Sequence, residues 1–275
     1  MLDGGEGMGK CKRKAILSAV LALAMVITNG FYYPGGGLVA HAEDKIAIST
    51  AEDLQKIGTD NSYPLSGNYV LEDDIDMTGI DFAPIGGGMG TRGAASGNNV
   101  FTGTFDGQGH VISNLTIHKT GSSSQDWQYG MFGMIGSEDQ AASVKNLILT
   151  GIDINVDMTG SGYFSLGGLA GEVNHNALID NVAIIDGTVQ GNPSNGSDVV
   201  GVGGLIGEMR YESRSSGGWG GQQGAGDNGV TISNVYVGAD VVTGASKDTN
   251  YAGGMIGRIA KTNPTSMTAC VFTGN

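Results

Sequence analysis

The sequence predicts an all-β fold, a solenoid of short parallel strands that coil and stack behind a short cap containing one helix. Three observations carry this prediction: a composition that favours strands and tight turns, two recurring phrases, and nearly constant spacing between their copies. Glycine supplies 50 of the 275 residues without a Gly-X-Y period, which excludes a collagen-like chain. Apolar residues make up 40% of the chain, enough for a core, so wholesale disorder is excluded.

The first 42 residues have the pattern of a secretory signal peptide. Four basic residues between Lys10 and Lys14 precede an apolar run from Ala15 to Ile27, and Ala40-His41-Ala42 offers a cleavage site. The run is too short to span a bilayer as a helix. We therefore predict export to a secreted or cell-surface location, with no membrane insertion after cleavage behind Ala42. A retained membrane anchor is the alternative.

The part of the chain that follows the signal is acidic. Without the four basic and two acidic residues of the signal, the 14 basic and 27 acidic residues of the chain become 10 and 25, a net charge of −15. Such a surface repels nucleic acid. Cys270 is the one cysteine left after cleavage, so no internal disulfide can form. With scattered histidines it offers no zinc site, and we predict no metal and no cofactor.

A glycine phrase recurs four times, with large apolar residues held between glycines. Its copies are Phe132-Gly133-Met134-Ile135-Gly136, Gly167-Gly168-Leu169-Ala170-Gly171, Gly203-Gly204-Leu205-Ile206-Gly207 and Gly253-Gly254-Met255-Ile256-Gly257. We expect the apolar residues to face a core, and the glycines to allow close approaches that a Cβ would block. A flexible linker is the alternative, but linkers do not keep apolar residues in register.

A second phrase sets an asparagine between apolar positions, as in Ile112-Ser113-Asn114-Leu115-Thr116-Ile117. Because side chains alternate along a strand, Ile112, Leu115 and Ile117 can all face a core only if the chain turns a corner at Asn114. Asparagine enters the left-handed region at low cost. We therefore predict a column of structural corner residues: Asn114, Asn146, Asn181 and Asn234.

The spacing of the corners predicts stacked rungs. Asn146 and Asn181 are 35 residues apart, as are Asn234 and Ala269 of a decayed copy. Repetition at this distance stacks each coil on the one before, which buries a core that a single rung cannot. The longer interval before Asn234 predicts a Gly-rich loop insertion at 212–229. Cys270 is expected in the core, and because no closing cap follows it, we expect a chain truncated at its C-terminus.

The segment 43–100 is predicted as an N-terminal cap with the first strands, and 101–275 as the repeats. Ser49 or Thr50 can cap a short helix that ends at Gly58, with acidic residues in its first turn. Asn68–Leu71 and Phe101–Phe105 are predicted strands. A helix placed before the first rung would cover its open apolar end.

These phrases resemble the GLUG-motif repeat proteins of bacteria. The resemblance rests on the glycine phrases, on the segment from Phe101 to Leu115, and on Ile48–Leu54 with Asp74–Met77. It implies a right-handed parallel β-helix in an exported or surface-anchored protein. Such repeats occur in adhesin-like chains and beside the metallopeptidase domains of immunoglobulin A1 protease-like enzymes. The repeat has no catalytic residues of its own to carry over.

No catalytic site is predicted. None of the four histidines is followed by Glu, so the His-Glu-x-x-His zinc helix is missing. Asp74 and Asp76 resemble the start of a calcium loop, but Ile85 stands where a bidentate Glu is required, and a capped turn is the alternative. Trp127, Tyr129 and Trp219 are candidates for stacking on sugars, against packing over loops.

We therefore expect a non-catalytic secreted or cell-surface module, used for adhesion, for binding or as a structural spacer. Its expected partners are host or matrix glycans or proteins, not nucleic acid. The first alternative is a β-helix polysaccharide lyase or hydrolase, which Asp180 and Asp186 sharing a groove with an arginine would favour. The second is a substrate-binding accessory region of a secreted metallopeptidase.

Overall fold

The computed structural model describes residues 45–87, 99–137, 140–160, 162–194, 200–210, 229–244, 250–260 and 265–275. The predicted signal peptide and Trp219 lie outside these residues, as does the predicted insertion apart from Gly229. The described part is nearly all β structure, with one short helix.

The N-terminal part holds the helix and five short strands. The elements in chain order are β1 (Lys45–Ile48), α1 (Ala51–Lys56), β2 (Asn68–Leu71), β3 (Ile75–Asp76), β4 (Thr104–Asp106) and β5 (Val111–Ser113). Helix α1 begins after Thr50, whose hydroxyl accepts the backbone N–H of Asp53 at 3.1 Å. Acidic residues fill its first turn, Lys56 lies in its last turn, and Leu54 is buried.

Four rungs follow, and each has four strands. Rung 1 comprises β6 (Thr116–Ser122), β7 (Trp127–Tyr129), β8 (Phe132–Ile135) and β9 (Ala142–Thr150). Rung 2 comprises β10 (Ile152–Thr159), β11 (Phe164–Gly167), β12 (Ala170–Val173) and β13 (Ala177–Ile184). Rung 3 comprises β14 (Gly187–Ser194), β15 (Val200–Gly203), β16 (Ile206–Arg210) and β17 (Val230–Val237). Rung 4 comprises β18 (Asp240–Thr243), β19 (Asn250–Gly253), β20 (Ile256–Ala260) and β21 (Thr265–Phe272).

Equivalent strands of successive rungs pair in parallel and form four sheets. Sheet I is β6-β10-β14-β18, sheet II is β7-β11-β15-β19, and sheet III is β8-β12-β16-β20. Sheet IV runs β1-β2-β4-β9-β13-β17-β21, with β3 and β5 joined to its side. The pairing confirms the predicted parallel solenoid.

The core is a set of columns in which apolar side chains of equivalent positions stack. Val144, Ile179 and Ile232 pair in register across β9, β13 and β17, and all three are fully buried. Near the N-terminal end, Phe101 and Phe105 pack against Phe132, with ring centroids 4.9 Å and 5.7 Å apart. The burial of these apolar columns is the main favourable contribution to the free energy of folding of the coil.

Strands β9, β13 and β17 change the face that they bury at their asparagine. In β13 Ala177 and Ile179 are buried before Asn181, and Val182, Ala183 and Ile184 are buried after it. The φ angles of Asn114, Asn146, Asn181 and Asn234 are 58°, 54°, 54° and 55°, in the left-handed region. Ala269 of the decayed copy has φ 52°. The corner therefore places both halves of the strand against one core.

Sheets II and III lie back to back where glycines let them approach closely. The connection through Gly168 and Leu169 reverses the chain between β11 and β12, and Leu169 is fully buried. A Cβ at Gly171 would lie 2.5 Å from the backbone nitrogen of Tyr129, on the facing sheet. The glycines thus admit a strand where no side chain would fit.

The first glycine phrase is aligned differently from its prediction. Phe132 pairs with Ala170, and Met134 pairs with Glu172. The structural equivalent of Gly168–Gly171 is therefore Gly130–Gly133. The predicted alignment matched Gly133 with Gly168, which places the first copy three residues too late. The register was misjudged because Gly-Met-Phe-Gly and Gly-Met-Ile-Gly overlap in this stretch of the sequence.

Rung 4 is much less buried than the rungs before it. Cys270 pairs in register with the buried Val235, as its predicted place in the core column requires. It is half-buried instead of fully buried, because among the described strands β21 is paired on one side alone.

Candidate functional site

An open groove of about 430 Å³ lies beside the first strands of sheets I and II. It is bordered by the segment that leads from the cap into the repeats, by β6, β7 and by one residue of β10. Its lining residues are Ala83, Pro84, Gly86, Gly87, Lys119, Thr120, Trp127, Gln128, Tyr129 and Met158. The groove is thus a partial opening into the apolar interior of rung 1.

Trp127 and Tyr129, two of the three predicted stacking aromatics, lie together in this groove. Their rings are stacked, with centroids 6.0 Å apart and planes inclined by 9°. They belong to the inward columns of sheet II, since Trp127 pairs with Phe164 and Tyr129 with Leu166. Trp127 is half-buried and its indole N–H donates to the hydroxyl of Ser123 at 3.0 Å. The two aromatics therefore both pack on the core and border the opening.

Tyr129 is the more enclosed ring. Burial raises the pKa of its hydroxyl to about 12, so the phenol stays protonated through the physiological range. A ligand in the groove would therefore meet the partly exposed indole of Trp127 first.

Polar groups border the groove as well. The Lys119 ammonium lies 3.0 Å from a carboxylate oxygen of Asp81, an exposed ion pair at the rim. Gln128, between the two aromatics, pairs with Ser165 and is buried on the opposite face of the strand, toward sheet III. An apolar, aromatic wall with an exposed ion pair at its rim is suited to an uncharged polyhydroxylated ligand.

The turn at Asp74 and Asp76 is held by hydrogen bonds. Asp74 accepts the backbone N–H of Val111 at 2.9 Å and lies 3.1 Å from His110 Nδ1. The Val111 N–H, and then His110, lower the pKa of Asp74. One oxygen of Asp76 accepts from Asn114 at 2.8 Å and from the Thr78 hydroxyl at 2.7 Å, which lowers its pKa. These contacts describe a capped turn that joins the cap to rung 1.

The corner asparagines form a hydrogen-bonded ladder between rungs. Each side-chain amide donates to an acceptor of an earlier part of the coil. Asn114 donates to Asp76 at 2.8 Å, Asn146 to Asp106 at 2.9 Å, Asn181 to Asn146 at 2.9 Å and Asn234 to Asp180 at 2.9 Å. Asparagine therefore serves twice, as a residue that tolerates the left-handed conformation and as a donor along the coil axis.

A polar seam of Ser165, Glu172, Glu208 and Arg258 lies between sheets II and III. Glu172, Glu208 and Arg258 occupy one register column of sheet III. Ser165 donates to Glu208 at 3.2 Å, and Arg258 lies 3.2 Å from the other oxygen of Glu208, whose side chain is 5% exposed. With its amide oriented to satisfy its neighbours, Asn174 donates to Glu172 at 3.0 Å.

Sequence reasoning missed this seam, although a signal for it exists. Glu172, Glu208 and Arg258 each follow the closing glycine of a glycine phrase. Because repeats in register stack equivalent positions, that spacing alone places the three residues in one column. The outer end of the column is bordered by Tyr251, whose ring lies 5.1 Å from the Arg258 guanidinium.

The aspartates named for an enzymatic alternative serve other partners. Asp180 accepts from the Ser233 hydroxyl at 2.6 Å and from Asn234 at 2.9 Å. Asp186 accepts from the Thr150 hydroxyl at 2.8 Å and from the Gly151 backbone at 2.6 Å. Each of the two carboxylates thus holds its own part of the coil.

In the parts of 45–275 that the structure describes, no three acidic, histidine or cysteine side chains come together in a way that could hold a metal ion. Over the same residues, no helix combines the length and the apolar character needed to cross a membrane.

No protein family model matches the chain. Over 181 residues the chain is 32% identical to Halomucin of Haloquadratum walsbyi, a match that covers 64% of this chain and 2% of that protein. The chain thus spans a very small part of its relative. A crystal structure of a candidate immunoglobulin A1 protease from Bacteroides ovatus is similar at 20% identity and a TM-score of 0.46, covering 83% of this chain and 66% of that one.

Proposed function

We propose that this chain is a non-catalytic repeat module of a secreted or cell-surface protein, which serves as a rigid spacer that also presents a binding groove. The observation that carries the proposal is the register: four rungs add one strand each to four parallel sheets. Each added rung lengthens such a coil by about 4.8 Å without changing its cross-section. Length gained in this way is what a spacer requires.

The match to Halomucin supports a module. A segment that corresponds to 2% of a relative is a small unit within a much longer protein. The GLUG resemblance supports the same role, since those repeats belong to exported chains.

The signal-like residues 1–42 support export of the chain. Export is tested by fusing these residues to a reporter enzyme that is active only outside the cytoplasm. Reporter activity should disappear when Leu21 and Leu23 in the apolar run are replaced by aspartate.

The binding role is assigned to the groove at Trp127, and its ligand class is a neutral glycan. Half-buried indole faces stack on sugar rings, while the charged groups of Lys119 and Asp81 at the rim can bond sugar hydroxyls. The test is calorimetric titration with a panel of soluble neutral oligosaccharides. We expect Trp127→Ala to weaken binding at least about tenfold. Tyr236→Ala, which removes an aromatic on sheet IV away from the groove, should leave affinity unchanged. Equal loss in both variants would contradict the assignment.

A β-helix lyase or hydrolase is the second candidate, and the polar seam is the observation that favours it. Glu172, Glu208 and Arg258 bring two carboxylates and a guanidinium into one column. Their burial between sheets II and III weighs against it, because a polysaccharide cannot reach Glu208 at 5% exposure. The test is release of reducing ends or unsaturated products from polysaccharides. Turnover that Glu208→Gln abolishes without unfolding the coil would replace the spacer proposal with this one.

The accessory role beside a secreted metallopeptidase stays a prediction from the GLUG resemblance. It differs from the spacer role in requiring a protein ligand. If a peptidase from the source culture co-purifies with the chain, and still co-purifies with the Trp127→Ala variant, the accessory role is favoured over glycan binding.

A further inference from the structure

The groove exists because two core columns of sheet I are interrupted in rung 1. Strand β10 contributes Val156 and Met158 to these columns, and both side chains are buried. Their partners in β6 are Lys119 and Gly121. The lysine extends its ammonium to Asp81 at the surface, and the glycine has no side chain. The stacking of apolar side chains that fills the rest of the coil is therefore missing at this point.

The gap at Gly121 lies beside the thioether of Met158. A Cβ added to Gly121 would lie 3.7 Å from the sulfur of Met158 and 4.0 Å from its terminal methyl, which are ordinary contact distances. Apart from the chain neighbours of Gly121, no other described residue comes within 4 Å of that Cβ. A methyl group placed there would thus contact Met158 without displacing anything.

The recess at this gap is apolar. Met158 and Tyr129 both line the groove, and they are 8% and 4% exposed. A thioether and an aromatic ring offer dispersion contacts to a small apolar group and no strong hydrogen bond. The recess therefore favours a methyl substituent of a ligand over a hydroxyl, which would lose its bonds to water there.

The rim of the groove offers a donor and an acceptor side by side. The Lys119 ammonium lies 3.0 Å from a carboxylate oxygen of Asp81, and the two side chains are 35% and 66% exposed. An amide group presents the matching pair, because its C=O accepts from an ammonium and its N–H donates to a carboxylate. Since Asp81 already balances Lys119, and the chain has a net charge of −13, an anionic sugar would gain little attraction here.

We propose that the groove binds an N-acetylated hexosamine, with the acetamido methyl in the recess at Met158 and the amide at the Lys119–Asp81 pair. The sugar ring then stacks on the partly exposed indole of Trp127. The acetamido group joins a methyl to both a hydrogen-bond donor and an acceptor, which is the combination that the recess and the rim present. This inference rests on the proposed glycan binding and narrows its ligand class.

The test is calorimetric titration of the full chain with two neutral trisaccharides that share the same linkage and ring geometry. Tri-N-acetylchitotriose carries an acetamido group on each ring where cellotriose carries a hydroxyl. We expect the N-acetylated trimer to bind at least about fivefold more tightly, because a methyl group leaves water and the amide gains bonds at the rim.

Met158→Gln separates the recess from the rest of the groove. Glutamine nearly keeps the shape of methionine but places an amide against the methyl of the ligand, so the preference should fall to about twofold or less. The affinity for cellotriose should stay unchanged, which also shows that the variant is folded. Met134→Gln is the matched control and should keep the full preference. Met134 is also 8% exposed, but it lies in β8 of sheet III and is not a lining residue of the groove.

The outcomes distinguish this inference from the proposed function. Equal affinity for the two trimers, or a preference that survives Met158→Gln, would overturn the choice of an N-acetylated sugar and leave glycan binding intact. Tight binding of the N-acetylated trimer that Trp127→Ala leaves unchanged would also overturn it, because the site would then lie outside the groove. Failure to bind these trimers or any other neutral oligosaccharide would remove the binding role and this inference together.

Discussion

At the residue scale, the corner asparagines combine two favourable properties. A left-handed conformation costs an ordinary side chain about 1–2 kcal/mol, whereas asparagine tolerates it and glycine adopts it freely. Asn181 has φ 54° and donates to Asn146 of the rung before it. Alanine would lose both properties, and glycine would lose the hydrogen bond alone, so the two substitutions separate them.

Asn181→Ala should destabilise the chain by about 2–3 kcal/mol, the sum of left-handed strain and one lost hydrogen bond. Asn181→Gly should cost about half as much or less, since glycine carries no strain there. Ala269, at the corner of the decayed copy, allows the opposite test, because an alanine there already has the left-handed φ of 52°. Ala269→Gly should stabilise by up to about 1 kcal/mol. Urea unfolding measures all three, and equal costs for Asn181→Ala and Asn181→Gly would refute the conformational argument.

Asp106 makes the coil sensitive to acid. Burial raises the pKa of this carboxyl, but the hydrogen bonds from Asn146 and Gln108 and the ammonium of Lys145 together bring it below the ordinary 3.8. A carboxyl whose folded pKa is depressed stabilises the fold above its unfolded pKa, and this stabilisation is lost as pH falls through the folded pKa.

Asp106→Asn should therefore be less stable than the native chain at pH 7. The difference should shrink as the pH falls from about 5 through and below the ordinary carboxyl pKa of 3.8, as the native carboxylate takes up its proton. Urea unfolding at a series of pH values measures it. A difference that stays constant down to pH 2 would show that packing at Asp106, and not its charge, sets the cost.

At the element scale, the close approach of sheets II and III depends on glycines with ordinary backbone conformations. A Cβ at Gly207 would overlap the backbone nitrogen of Leu166 and lie 2.7 Å from the carbonyl oxygen of Gly171. Both neighbours are backbone atoms in paired strands, so neither can move without disturbing a ladder. Gly109 is the opposite case, with φ +85° and no atom within 4 Å of the added Cβ.

Gly207→Ala should destabilise the chain by about 3 kcal/mol or more, because it forces two sheets apart. Gly109→Ala should cost about 1–2 kcal/mol, from left-handed strain alone. Thermal and urea unfolding of both variants test this ranking. If Gly109→Ala proved the costlier change, glycine in the phrases would be required for chain conformation and not for sheet contact.

At the scale of the whole molecule, stability is expected to grow with each rung. In a solenoid each rung contacts its neighbours alone, so a new rung adds its own stability and one interface. The end of the described chain shows where such a rung would fit. The backbone N–H of Val241 donates to the carbonyl oxygen of Asn275 at 2.8 Å, so Asn275 lies where an equivalent of Asp240 would begin the next strand of sheet I.

Replacing Asn275 by a second copy of residues 240–275 should therefore extend all four sheets in register. We expect the melting temperature to rise by roughly 4–8 °C for a gain of about 2 kcal/mol. The control is the same copy with aspartate in place of its inward-facing Val241, Met255 and Met267. If the control were stabilised equally, the gain would not come from continued stacking of the core.

Much of the fold follows from the sequence, because a repeat encodes its own neighbours. The corner phrase requires a change of buried face at Asn114 and its equivalents, and the 35-residue spacing requires that these corners stack. The helix near Thr50 was predictable from its cap and its charges. The first glycine phrase was placed three residues too late, because two overlapping glycine patterns can be told apart only by which residues pair.

The site was less predictable, for a physical reason. The sequence predicted Trp127 and Tyr129 as stacking aromatics, and it is the strand found at Trp127–Tyr129 that places both on one face. Whether that face opens to solvent depended on how far the cap covers rung 1, which is a matter of tertiary packing. The same packing brought sheets II and III together around Glu208 and Arg258. Local patterns fix what each residue can do along its own strand, and burial by distant segments decides which of those possibilities is realised.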